Sequence, residues 1–524
     1  MLHLGARTRF ILRKLTRSIS VSFSIRQGDP IAMLLYIIYI EPLLIFIERR
    51  ITGLPIENMA QSEERRVAGL PAKNVRQSVE AFCDDVNIIT SDLNDLKIVD
   101  EAVILFEKVS GGILSRTFKC KIIGFGSWRD KEDWPLPYLR SVSEIKVFGV
   151  FIMNSVRAMV TRNWEFRCQK LQNVLVAWSS RFLESIFQRI EVVNTFALSR
   201  VFYIASILPL PKNITLRMEK SIGKFLWTCS GKVLRVSLRE VKLPKLRGGT
   251  GLLCVESMAK CLRISQLLRL LRDGDDKTLH HIDYWMGEMM VDFKAEFGSC
   301  RHRQSIPSFF MGLAELVTEA RISETLTVNN WKIVTNKVLY RQIISEFPQT
   351  KVEDDVGRSM SEVWRKIWQP CITASTREIL FLSMHHKIPT RERLFRIGLA
   401  NDPYCVFCFE NSGALTCDRE HMFCTWEKVA AVWAEIKTVL VSLIPAGTSS
   451  LSNMQLLTLD LPKFDEEKTY VWILGNYMEL VWKLVHLQGV YLGKEKVFGY
   501  LKFKYKAEQL GARSSMKKIS VLSF

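Results

Sequence analysis

Apolar and polar residues alternate strictly from Ile19 to Ile25, the period of a strand with one face buried. Arg26-Gln27-Gly28-Asp29-Pro30 ends the alternation and reads as a tight turn with proline at a helix start, followed by the apolar helix Ile31 to Ile47. Residues 52–79 are polar and predict a surface connection. They lead into AFCDDVNIIT, Ala81 to Thr90, where two short apolar runs flank Asp84-Asp85. Strand-forming residues around an Asp-Asp pair predict a hairpin with its carboxylates at the turn. From Asp92 to Ser110, apolar residues at Leu96, Val99, Val103, Phe106 and Val109 have helical spacing, and Gly111-Gly112 stops the helix. Strands are expected at Ile122 to Phe125 and at Lys146 to Ile152 around Gly149. Long helical stretches then run from Trp164 to Pro211, and residues 275–400 also read as helical. The pattern predicts an α+β chain, with strands and helices mixed early and helices dominating later.

Composition adds a partner to this picture. The 524 residues suffice for two to four domains, and a hydrophobic content of 48% excludes general disorder. Net charge is +19, and residues 111–250 alone hold 24 Lys/Arg against 9 Asp/Glu. Such a block favours a polyanion through phosphate neutralisation and counterion release, so nucleic acid is the expected partner. Pro30 to Ile47 is apolar enough to suggest a membrane span, but Pro30, Glu41 and Pro42 within it predict a buried core helix and no membrane partner. The N-terminal residues lack the apolar core and cleavage site of a secretory signal. Of 12 cysteines, eight are scattered singly, which predicts an intracellular protein of nucleus or cytoplasm.

Two clusters carry chemistry. Asp84 and Asp85 are hard oxygen ligands without a nearby His or thiol pair, a set that suits Mg²⁺ and phosphoryl transfer. The second cluster is Cys405-x2-Cys408, twelve residues, then His421-x2-Cys424, with spacing that suits a closed structural Zn²⁺ site. Cys424 is the first choice for fourth ligand and Cys417 the second. The adjacent pairs His280-His281 and His385-His386 cannot share a helix face and are expected to be structural, while Trp364 and Trp368 are expected to pack in a core.

Arg26-Gln27-Gly28-Asp29-Pro30 with its apolar helix, then AFCDD, then the basic strand at Lys119-Cys120-Lys121, then Val147-Phe148-Gly149-Val150, together resemble the successive motifs of reverse transcriptases of non-LTR, LINE-type retrotransposons. The resemblance covers roughly residues 18–152. It implies that Asp84 and Asp85 bind catalytic Mg²⁺ and that Gln27 and Gly28 line the nucleotide and template site. Lys119 and Lys121 would lie near the incoming deoxynucleoside triphosphate, and Phe148-Gly149 would grip the primer. Trp178, Arg181 and Val192-Val193-Asn194-Thr195 look like the helical thumb of the same enzymes, and Gly248-Gly249-Thr250-Gly251-Leu252 resembles a glycine turn among these elements. The implied architecture is a partial polymerase palm (antiparallel sheet plus helices) at 1–153 and a basic helical thumb at 154–275. A helical region at 276–400, a small zinc knuckle at 401–435 and a helical tail at 436–524 would follow. The implied activity is RNA-templated DNA synthesis on an RNA template with a DNA primer, through an RNA–DNA hybrid.

Two departures from the family's pattern stand out. No Asp or Glu precedes Asp29, although such polymerases use a third carboxylate on an earlier strand. The chain is therefore expected to be the back part of a longer frame, weakly active or inactive alone, with a non-catalytic nucleic-acid-binding remnant as the alternative. Trp426 stands where the family's last knuckle cysteine falls.

Overall fold

In the computed structural model the described residues are 6–8, 11–12, 14–15, 19–21, 32–55, 76–82, 85–116, 120–227, 236–274, 278–279, 282, 285–286, 308–322, 326–327, 330–406, 408, 415–445, 451–486 and 493–510. They form a mixed, mainly helical chain of two compact units. The first comprises residues 1–163, 267–315 and 327–332, and the second comprises 164–266, 316–326 and 333–524.

In the first unit, the Ala32–Arg50 helix buries Ile40, Leu43 and Ile47 against the Leu93–Ser110 helix, with Ile51 and Ala102 completing the cluster. The expected core helix is thus present, with Pro42 on its exposed side. Asp92 caps the Leu93–Ser110 helix by accepting from the Asn94 N–H, and Gly111 ends it in the left-handed region at φ 71°. The glycine stop follows the sequence signal, since glycine adopts positive φ at little cost, while Asp92, read as the first helical residue, instead caps the helix by satisfying an orphan N–H. Val79–Phe82 pairs antiparallel with Asp85–Ile88, and Val79, Val86 and Ile88 pack on the helical cluster. Asp95 is buried and accepts the Thr52 and Gly53 N–H groups, at 2.9 and 3.2 Å, and the Thr90 hydroxyl. Its carboxylate is wholly committed to joining the helix to the 51–53 connection.

Among the described residues the strands form six two-stranded ladders, one of them parallel, Lys121–Ile122 with Arg140–Ser141. The single strand expected over Lys146 to Ile152 is instead a hairpin, Glu144–Val147 against Val150–Met153. Phe148 and Gly149 form its two-residue turn with φ of 47° and 82°. A two-residue hairpin turn of this kind needs positive φ at both positions, and Phe gives no warning of it.

The second unit is built around the Glu467–Leu480 helix, in which every residue except Lys468 is buried. A helix apolar on all sides belongs at the centre of a core. Gly475 lets the Ala374–Met384 helix approach, since a Cβ there would sit 2.6 Å from Thr376 Cγ2. Trp364 is fully buried, as expected, and His385 stacks on it with ring centroids 5.0 Å apart while bonding the Gly248 carbonyl through Nε2 at 2.7 Å. His280 and His281 lie outside the described residues.

Glu479, at the end of the central helix, is buried among donors: Ser375 Oγ at 2.7 Å, Thr376 Oγ1, Lys483 Nζ at 2.6 Å and Lys504 Nζ at 3.1 Å. Burial pushes its pKa up, but the hydrogen bonds from Lys483 and Thr376 and the Lys504 charge outweigh it and hold the carboxyl at about 2. The folded pKa lies below the unfolded value, so this contribution is complete above about pH 4.5 and is lost as pH falls towards 2. We expect Glu479→Ala to cost roughly 3 kcal/mol in urea unfolding at pH 7, shrinking at pH 3. A cost independent of pH would refute this account of the network.

Candidate functional site

The polymerase-type residues fall in the first unit. Asp85 begins the second strand of its hairpin, exposed, in register with Phe82 at the end of the ladder. The apolar residues behind it are fixed on the Ala32–Arg50 helix, so its carboxylate is carried on an anchored support. Asp84, Gln27, Gly28 and Lys119 lie outside the described residues. Lys121 is exposed at the start of the short parallel ladder, and Phe148-Gly149 caps its hairpin with the Phe148 ring partly exposed.

The second candidate is the Cys/His cluster. Tyr404 and Thr416 form an antiparallel bridge, and the Cys405 N–H donates to the Leu415 carbonyl at 2.9 Å while the Cys417 N–H donates to the Pro403 carbonyl at 2.9 Å. This pairing brings the two ends of the loop together. The chain then enters a π-helical turn, His421–Thr425, which buries His421. The ligand atoms of Cys405, Cys408 and His421 all lie within 4.8 Å of one another, and all three residues are buried. His421 Nε2 is 3.4 Å from Cys408 Sγ. Its Nδ1 is 3.2 Å from Thr425 Oγ1, so the tautomer with Nδ1–H donating to Thr425 leaves the Nε2 lone pair facing the thiols.

Neither Cys417 nor Cys424 belongs to that group of three; Cys417 lies near the Cys405 thiol, and Cys424 is buried beside Tyr470 and Tyr477. Burial pushes the Cys408 thiol up to about 11, with Cys405 adding to it, and burial lifts Cys417 to about 11 as well. Burial also holds the His421 imidazole below its ordinary value, against the opposing Asp418 carboxylate, which keeps the ring neutral at pH 7. The N–H of Glu427, at the start of the Glu427–Ser442 helix, donates to Cys408. Two thiols and a neutral imidazole with a fixed tautomer supply three ligand atoms of the kind that fits Zn²⁺, and the Glu427 N–H favours the thiolate form of Cys408. Thr425 and the Glu427 N–H were not evident from the motif. The one signal for Thr425 is its place four residues after His421 on a helical turn.

The Gly248–Leu252 segment is a locked loop. Asn194, within the Val193–Ala197 π-helical turn, donates from Nδ2 to the Gly251 carbonyl at 3.0 Å and accepts the Leu253 N–H at 3.0 Å. Two stretches that sequence patterns single out are therefore bound to each other.

No family model matches the chain. It is similar to the transposon TX1 uncharacterized 149 kDa protein of Xenopus laevis, 26% identical over 262 residues, which cover 49% of this chain and 18% of that protein. The chain is thus related to a transposon protein over half its length. Among the described residues no single helix is long and apolar enough to cross a membrane.

Proposed function

We propose that the chain is the RNA-templated DNA polymerase region of a LINE-type retrotransposon protein. The observation that carries this reading is the order of its motifs, RQGDP with its helix, AFCDD, the lysine strand and VFGV, in a chain similar to a transposon protein. Asp85 on its anchored hairpin, with Asp84 beside it in sequence, supplies the carboxylates that would hold Mg²⁺. When bound, Mg²⁺ neutralises the triphosphate and lowers the pKa of the primer 3′ hydroxyl. Lys119 and Lys121 add positive charge for the triphosphate, Gln27 and Gly28 line the nucleotide and template site, and Phe148-Gly149 contacts the primer. The basic block follows the hybrid backbone and supplies affinity without sequence preference. Zn²⁺ is structural in this reading, held by Cys405, Cys408 and His421. Cys424 and Cys417 are the candidates for the fourth donor, and Cys417 is the one whose thiol lies near Cys405.

Purified protein with Mg²⁺, deoxynucleoside triphosphates and a DNA primer annealed to an RNA template tests the reading. Primer extension is expected, and Asp84→Ala/Asp85→Ala should reduce it on the order of a hundredfold or more. Absence of extension while the hybrid stays bound would reject polymerase activity and leave nucleic-acid binding without chemistry.

A further inference from the structure

We infer that the face formed by the Val156–Ser179 helix and the 193–207 helical segment binds an unpaired nucleic-acid strand, with bases stacking on its rings between its cations. The inference rests on the nucleic-acid reading above and specifies the form of the ligand. Phe196 stacks on Trp178, with ring centroids 5.1 Å apart and planes at 27°, and the Arg181 guanidinium lies over the Trp178 ring at 4.4 Å. Farther along the same helices, Arg167 lies 5.7 Å from the Phe166 ring and 5.9 Å from the Tyr203 ring, and Lys170 lies 5.4 Å from Phe166. Rings of both segments therefore lie beside cations carried by the Val156–Ser179 helix and by Arg181 just past its end.

These rings are not core residues. Phe196 is 44% exposed and Tyr203 46%. Core packing does not account for a phenylalanine this exposed, and a surface meant only for duplex phosphates needs cations without rings. A protein-docking core would exclude the charges found here. Aromatic faces beside cations suit a single strand, whose bases are free to stack while its phosphates meet Lys and Arg. The surrounding excess of Lys/Arg over Asp/Glu in residues 111–250 gives the matching charge.

The test compares a fluorescent twelve-nucleotide single-stranded RNA with a blunt RNA–DNA hybrid of equal length, using the full chain and a Phe196→Ala/Tyr203→Ala variant. Both substitutions are at exposed rings, and thermal melting checks that folding is unchanged. Single-strand affinity should fall about tenfold or more at every salt concentration, with the salt slope and hybrid affinity unchanged. Equal losses on both ligands, or no loss on the single strand, would overturn the stacking face while leaving the polymerase reading intact. If the unmodified chain binds neither ligand, the polymerase reading fails and the stacking face fails with it.

Discussion

On the zinc proposal, the unmodified protein is expected to retain about one equivalent of zinc per chain, and the Cys405→Ser/Cys408→Ser variant is expected to lose it. Both thiols belong to the buried group of three ligand atoms lying within 4.8 Å, and serine offers no thiolate. A ligand that binds only the folded state, present at 100 to 1,000 times its Kd, stabilises that state by about 3–4 kcal/mol, so the melt should fall by roughly 10 °C. The pH dependence has a definite sign. Cys408 is pushed up to about 11 in the metal-free protein, so binding must displace its proton, and apparent affinity should fall about tenfold per pH unit lowered for each such thiol. Cobalt in place of zinc reports the donors. Cys417→Ser should weaken the sulfur charge-transfer band because Cys417 lies near the Cys405 thiol, while Cys424→Ser should leave it unchanged. The reverse result would assign the fourth position to Cys424, and a protein purified without metal that binds none on titration would remove the site altogether.

Gly249→Ala is expected to destabilise the second unit by about 3–4 kcal/mol, through backbone collision rather than lost chemistry. A Cβ at Gly249 would stand 1.8 Å from the Leu243 carbonyl oxygen and 2.3 Å from its carbon. Neither can move freely, because the Gly251 N–H donates to that same oxygen at 3.2 Å and the Thr250 N–H and hydroxyl both donate to the Val241 carbonyl. Opening the loop would also release the Asn194 and His385 bonds. Gly251→Ala is the control. Its φ of 80° is strained for any side chain, but the nearest atom to a Cβ is Lys245 Cε at 3.9 Å, so about 1 kcal/mol is expected. Urea unfolding of both variants separates collision from strain, and equal costs would mean the Leu243 contact does not restrict the loop.

Local signals made part of this protein legible without its structure. The Leu93–Ser110 helix has its periodic face and its Gly111 stop because each depends on near neighbours along the chain. The aspartate hairpin was legible for the same reason, since apolar runs on both sides of a turn pair need no distant partner, and Asp85 closes the expected ladder. The spacing of Cys405, Cys408 and His421 likewise specified a cluster that the fold assembles.

Other features depend on contacts far apart in sequence. Val147-Phe148-Gly149-Val150 reads as one continuous strand, and only pairing of Glu144–Val147 with Val150–Met153 turns Phe148 and Gly149 through positive φ. The knuckle spacing puts Cys424 ahead of Cys417 as fourth ligand. The Tyr404–Thr416 bridge draws Cys417 to Cys405, and packing of the central helix takes Cys424 to Tyr470 and Tyr477. Asn194 and Gly251 are 57 positions apart, and nothing local to either announces their bond. By itself, the sequence determined the periodic elements, the Gly111 stop and the chemical types at the two candidate sites, because these depend on near neighbours. Tertiary structure decided which thiol stands beside Cys405, which aspartate is committed to the fold and which helix lies at the centre, because burial and hydrogen bonding join residues that the chain itself keeps far apart.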